Sequence, residues 1–180
     1  MQPRSLLAGA VLASMAQLAP ARADASLEYA VKAAYLPKFI PFITWPDSAF
    51  ESPTAPVTVC VLGVDPFGGR LEQAASGVKL GERTVTVRHL PAPDPTASCQ
   101  LIFLGAGDLA VAQGTLDAMQ GKPVVTVTDS GLKAHGVISF LIDANHVRFD
   151  IDDAAAAQDG LAISSKLLGL AHAVKQRGQP

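Results

Sequence analysis

Val57 to Gly69 reads VTVCVLGVDPFGG. Val57 to Leu62 is an unbroken run of apolar and β-branched residues that includes Cys60. A short run of that kind fits a strand buried on both faces. Gly63-Val64-Asp65-Pro66 ends it with a turn, and Phe67 to Ala75 reads as a short helix. A buried strand that breaks into a glycine loop and then a helix is the first unit of an α/β sheet.

Working outward, Thr84–Leu90, Cys99–Leu104 and Val124–Thr128 read as further strands, with a helix over Asp108–Met119 between the last two. Val137–Ile142 and His146–Ile151, separated by Asp143-Ala144-Asn145, read as a hairpin. Asp153–Gln176 carries Ala157, Leu161, Leu168 and Ala171 on one helical stripe and predicts a long final helix. Upstream, Leu27–Ile43 has apolar residues at 27, 30, 31, 34 and 35, a helical face that Ser26 caps in part. Pro37 and Pro41 predict that this helix stops or kinks at Pro37. The aromatic cluster Phe39, Phe42 and Trp45 is either core or a face for a partner. The fold class is α/β: a single domain with a mixed, mostly parallel sheet of about five or six strands flanked by helices, then a C-terminal β-hairpin and a long helix.

The chain has 180 residues, of which 49% are hydrophobic and 17% charged, the balance of a globular domain with a real core. Met1 to Arg4 carries one positive charge, Ser5 to Leu18 is mostly Leu, Ala, Val and Met, and Ala21-Arg22-Ala23 has the small-x-small pattern of a cleavage site. Residues 1–23 therefore read as a signal peptide and 24–180 as the exported domain. A membrane anchor is the alternative, against which stand Gln17, Pro20 and the shortness of the run. Removing the leader leaves 12 basic residues, since Arg4 and Arg22 go with it, against 16 acids. No basic stripe is visible, which argues against nucleic acid as a partner. In a periplasmic or secreted protein two cysteines allow one bridge, Cys60–Cys99, with two buried free thiols as the alternative.

Motifs for chemistry are weak. Gly63-x-x-x-x-Gly68-Gly69 lacks the Lys-Ser/Thr of a phosphate loop. Ser130-Gly131-Leu132-Lys133 matches S-x-x-K, but its companion triplets are missing. His89, His135, His146 and His172 show no metal spacing. Asp150, Asp152 and Asp153 read as helix-start charge rather than a calcium loop. Neither catalytic residues, nor metal, nor cofactor is expected, and binding or regulation is favoured over catalysis.

An ordered series of stretches resembles the YfiR family of periplasmic proteins. It comprises Glu28–Leu36, Trp45-Pro46, Cys60–Gly63, Asp65–Gly68, Cys99, Val125–Asp129, Gly136–Phe140, Val147–Ile151 and Gly160–Leu168. The resemblance implies a small α/β domain that dimerises and binds the periplasmic domain of an inner-membrane diguanylate cyclase. It holds that enzyme off, so that cyclic di-GMP and biofilm formation stay low, and an outer-membrane lipoprotein sequesters the repressor. It also implies a disulfide at Cys60 and Cys99, with redox state as an input. Two departures stand out: Pro37 and Pro41 interrupt the family's first helix, and a second cysteine pair near the hairpin is absent.

The expected function is thus periplasmic repression by protein binding, with contacts near Phe149 and Ile151 and Phe42 and Trp45 as a rival face. The alternative is a periplasmic small-molecule sensor or carrier, binding at Gly63–Gly69 and Gly105–Gly107, the carboxyl ends of the parallel strands.

Overall fold

Every residue from Val57 to Leu62 is buried, as a strand covered on both faces must be. The computed structural model that shows this describes residues 19–178 except Pro95. Residues 1–18 of the expected leader lie outside the described residues, and the expected cut after Ala23 falls within the first helix, α1 (Ala19–Phe39). A 3-10 turn (Ile40–Phe42) joins α1 to β1 (Ile43–Thr44). Then come β2 (Val57–Leu62), α2 (Arg70–Ala75), β3 (Lys79–Leu80), β4 (Arg83–Leu90) and β5 (Leu101–Leu104). They are followed by α3 (Leu109–Met119), β6 (Val125–Thr128) and the hairpin β7 (Ile138–Asp143) and β8 (His146–Asp152). The chain closes with α4 (Asp153–Gln158), β9 (Ala162–Ile163), α5 (Ser165–Leu168) and β10 (Ala173–Lys175).

The main sheet has eight strands in the order β10-β8-β7-β6-β5-β2-β4-β3. From β4 to β7 all neighbours run parallel, β3 is antiparallel to β4 and β8 to β7, and β10 is parallel to β8. The fold is the α/β class expected, with a mostly parallel sheet. The order reverses direction between β2 and β5, because β4 lies on one side of β2 and everything after β5 on the other. Side chains alternate across the pleat and divide the core. Val57, Val59, Val61, Phe103, Val127, Phe140 and Phe149 pack with α1, the 3-10 turn and α2 through Leu36, Phe39, Ile40 and Leu71. Cys60, Leu62, Ile102 and Leu104 pack on the opposite face with Ala112 and Leu116 of α3. Cys60 and Cys99 are joined by a disulfide, with Cα atoms 5.9 Å apart.

Local rules were overridden in two places. Pro37 lies inside α1, which runs on to Phe39 rather than stopping. A helix-interior proline costs about 3 kcal/mol. Leu36, Phe39 and Ile40 are at most 1% exposed, and each such side chain gains roughly 1.5–3 kcal/mol by burial, enough to hold the last turn. The long final helix expected over Asp153–Gln176 begins where predicted but ends at Gln158. Gly160 takes a left-handed φ of 73°, and the chain turns to bury Leu161, Ile163 and Leu167. β9 then pairs antiparallel with β1, Ile43 opposite Ile163. The final stretch becomes β10, an additional edge strand that, with the two-residue β3, brings the sheet to eight.

Candidate interaction surface

A buried charge cluster fixes α1 against the carboxyl end of β6. Asp129 follows β6 directly, and its N–H donates to the Leu104 carbonyl at 3.0 Å, tying it to β5 as well. Lys32, on the inner side of α1, is fully buried. Its ammonium donates to Glu28 Oε1, to Asp129 Oδ1, and to Ser130 Oγ at 2.9 Å. Tyr29 donates to Asp129 Oδ2 at 2.7 Å, and Ser130 Oγ donates to Glu28 Oε1 at 3.0 Å. Burial, then the hydrogen bond to Asp129 and the charges of Asp129 and Glu28, push the Tyr29 hydroxyl well above the usual tyrosine range. The cluster brings a lysine amine to a serine hydroxyl, the pairing that S-x-x-K invites, but with Lys32 rather than Lys133, which is exposed. All three donors of Lys32 are engaged, so the amine has nothing left with which to accept a proton from Ser130. The cluster is an anchor for α1.

That anchor props open a groove. α1 supplies Leu27, Val31 and Tyr35, the hairpin supplies Ile142, Asn145, His146, Val147 and Arg148, and Glu28 sits among them around about 460 Å³. Leu27 is 66% and Ile142 44% exposed, so apolar surface faces water on both walls. The hairpin turns through Ala144 and Asn145 at φ 44° and 63°, the left-handed pair that a two-residue hairpin loop requires.

The four aromatic and aliphatic residues singled out in the sequence sit mostly beneath this surface. Phe149 is 4% and Ile151 1% exposed. The Phe149 ring meets Phe39 at 5.0 Å and Tyr35 at 5.7 Å between centroids, edge-on. Trp45 is buried, donating through Nε1 to the Gln100 carbonyl at 3.2 Å, while Gln100 binds the Thr58 N–H. Phe42 alone is half-buried. Phe149 and Ile151 hold the hairpin onto the core, and the residues exposed beside them are Ile142, His146 and Arg148. Alternation in β8 placed Val147, Phe149 and Ile151 on one face, but it does not say which face a helix covers. Lys32 was missed because a Glu-Lys pair four apart on a helix reads as a surface pair.

At the reversal point of the sheet lies a second hollow of about 210 Å³, lined by Leu62, Gly63, Val64, Gly105, Ala106, Asp108 and Val111. Its one charged side chain, Asp108, caps α3 by accepting from the Ala110 N–H at 2.8 Å. Among the described residues no group of three His, Cys, Asp or Glu side chains is placed to hold a metal, and no helix is long and apolar enough to cross a membrane.

A family model described as YfiR/HmsC-like matches residues 29–172. The chain belongs to the YfiR/HmsC-like family. No curated protein matches it. The YfiR/HmsC-like span opens at Tyr29, in the buried cluster, and closes at His172, whose Nδ1 lies 3.0 Å from Asp150 Oδ1. It therefore takes in Tyr29, Lys32, Asp129 and Ser130 of the anchor, the disulfide, the hairpin and every strand of the main sheet except β10.

Proposed function

We propose that this YfiR/HmsC-like protein is a periplasmic repressor that binds the periplasmic domain of an inner-membrane diguanylate cyclase, keeping cyclic di-GMP and biofilm formation low. Family membership over residues 29–172 carries the reading. The protein acts by binding rather than by catalysis. It favours one conformation of its receptor and shifts the population without chemistry. An N-terminal signal peptide, residues 1–23, exports it, and an outer-membrane lipoprotein competes for it. The groove between α1 and the hairpin supports this reading, because it presents exposed apolar side chains on elements held by a buried charge cluster and an aromatic core. The partner touches Leu27, Ile142, His146 and Arg148, while Phe149 and Ile151 support the hairpin from below and Phe42 offers a secondary contact near Trp45.

A photo-crosslinking side chain at Ile142 in the exported protein tests this. Crosslinking to a membrane protein with a cytoplasmic cyclase domain, identified by mass spectrometry, is the expected result. Crosslinks to no membrane receptor contradict it.

The hollow at the β2/β5 reversal favours a second reading, a small-molecule sensor, since open α/β sheets bind ligands there. Native mass spectrometry of freshly purified protein tests it: an added mass lost in the Val111→Trp variant supports it, and bare protein opposes it.

A further inference from the structure

The last strand of the main sheet is held chiefly by charge. β10 pairs with β8 over three residues, Ala173 opposite Asp150, Val174 opposite Ile151 and Lys175 opposite Asp152. Of residues 172–178 only Val174 is half-buried, and the others are exposed. Phe149 and Ile151 of β8 are core residues, so β8 keeps its place through the core and β7 whatever the tail does. Three acid–base pairs fasten the tail. His172 Nδ1 lies 3.0 Å from Asp150 Oδ1, and Lys175 Nζ donates to Asp152 Oδ2 at 3.0 Å. Arg177 donates to Asp153 through Nε at 2.9 Å and Nη2 at 3.2 Å. The three basic side chains are themselves exposed, and exposed pairs each contribute little and weaken in salt. An exposed ladder with few apolar contacts marks an element that opens locally before the core does.

We propose that residues 172–177 form a releasable strap, and that the β8 edge beneath it takes an extended cationic segment of another protein in the strap's place. The edge is built to receive a strand. The Phe149 carbonyl accepts from the His172 N–H at 2.8 Å, and by alternation along β8 the backbone groups of Ile151 face the same way. Main-chain groups of that kind bind any extended backbone, and side chains supply the selectivity. With the strap away, Asp150, Asp152 and Asp153 stand along this edge without their cations. They select positive charges spaced as in the strap, where Lys175 and Arg177 are two residues apart. The edge keeps its form when open. Asp152 also caps α4 by accepting from the Ala155 N–H at 2.8 Å, and Asp153 lies in the first turn of α4, where a helix favours an acid. β10 lies past the family-matched residues 29–172, so the strap belongs to this chain beyond that span. It works whether or not a receptor occupies the groove between α1 and the hairpin.

Amide hydrogen exchange of the wild-type protein reads the strap. The amides of Ala173, Lys175 and Ile151 lie between β8 and β10, whereas those of Arg148 and Asp150 face β7. The first three are expected to exchange together, at least about tenfold faster than the other two, and faster again in about 0.5 M salt. Exchange of all five at one rate, unmoved by salt, overturns the strap. Docking is read with a fluorescein-labelled peptide, HAVKQRG, the sequence of residues 172–178. The full-length Lys175→Glu/Arg177→Glu variant loses its own strap and is expected to bind this peptide at least about tenfold more tightly than the wild type does. A peptide with both cations replaced by glutamate is expected to bind neither protein. A double variant that folds, judged by circular dichroism, and ignores HAVKQRG overturns the proposal. Should it fail to fold, Ala173→Pro decides, because it removes an N–H that faces β8 and leaves every charge in place. It is expected to bind HAVKQRG, and a folded Ala173→Pro protein without affinity for the peptide overturns the proposal.

Discussion

Lys32 is the side chain on which the placement of α1 turns. Replacing it by Met keeps the volume but leaves Asp129 buried beside Tyr29 without a cation. Breaking a buried pair from one side costs about 3–5 kcal/mol, and urea unfolding of Lys32→Met is expected to show a loss of that size. The Lys32→Met/Asp129→Asn double variant recovers part of it. Tyr29 adds a pH dependence. Its folded-state hydroxyl holds a proton to higher pH than the unfolded one, so its contribution is whole below a pH of about 10 and is lost as the pH rises above that value. Urea midpoints between pH 8 and 11 are expected to fall less steeply in Tyr29→Phe than in the wild type. None of this was legible in the sequence, because Glu28 and Lys32 spaced four apart carry no mark of burial. What tells is Asp129, nearly a hundred residues away, and only the fold brings it there.

Among the elements, the strands that the sequence shows best are those buried on both faces, because VTVCVL and LIFL are short apolar runs closed by glycine turns, too short for a buried helix. The hairpin was legible from its spacing, and α3 from its apolar residues at 109, 112, 116 and 119. The stretch after the hairpin was not. A helical stripe through Leu161 and Leu168 exists in the sequence, yet Leu161 is buried and Leu168 half-buried by a chain that folds back on β1. Periodicity records which residues want burial and not which element buries them. The loop from β6 to β7 carries a tighter demand. A Cβ added at Gly136 would stand 2.5 Å from the Thr126 carbonyl oxygen, a backbone atom that cannot move aside. Gly136→Ala is expected to cost about 1–3 kcal/mol, the range for overpacking, read as a lower urea midpoint at unchanged slope. A wild-type midpoint would mean that the loop at Gly136 sits farther from β6.

At the scale of the molecule, the Cys60–Cys99 bridge closes a loop of 39 residues that contains β3 and β4. In the chain-entropy model it stabilises the fold by about 4 kcal/mol. Both cysteines are buried, Cys60 fully. Dithiothreitol is therefore expected to reduce the bridge slowly in native protein, and urea unfolding of the reduced form to show a loss of that order. Fast reduction of the folded protein would instead mark an accessible, switchable bond. The bridge ties β2 to the chain entering β5, its sheet neighbour, while the groove between α1 and the hairpin lies toward the other end of the sheet. The proposed function makes this a protein that works by being held by a receptor. Cyclic di-GMP measured in a strain deleted for this gene tests that claim most directly. The account predicts a rise that a plasmid copy of the wild-type gene reverses; a level unchanged by the deletion would contradict it.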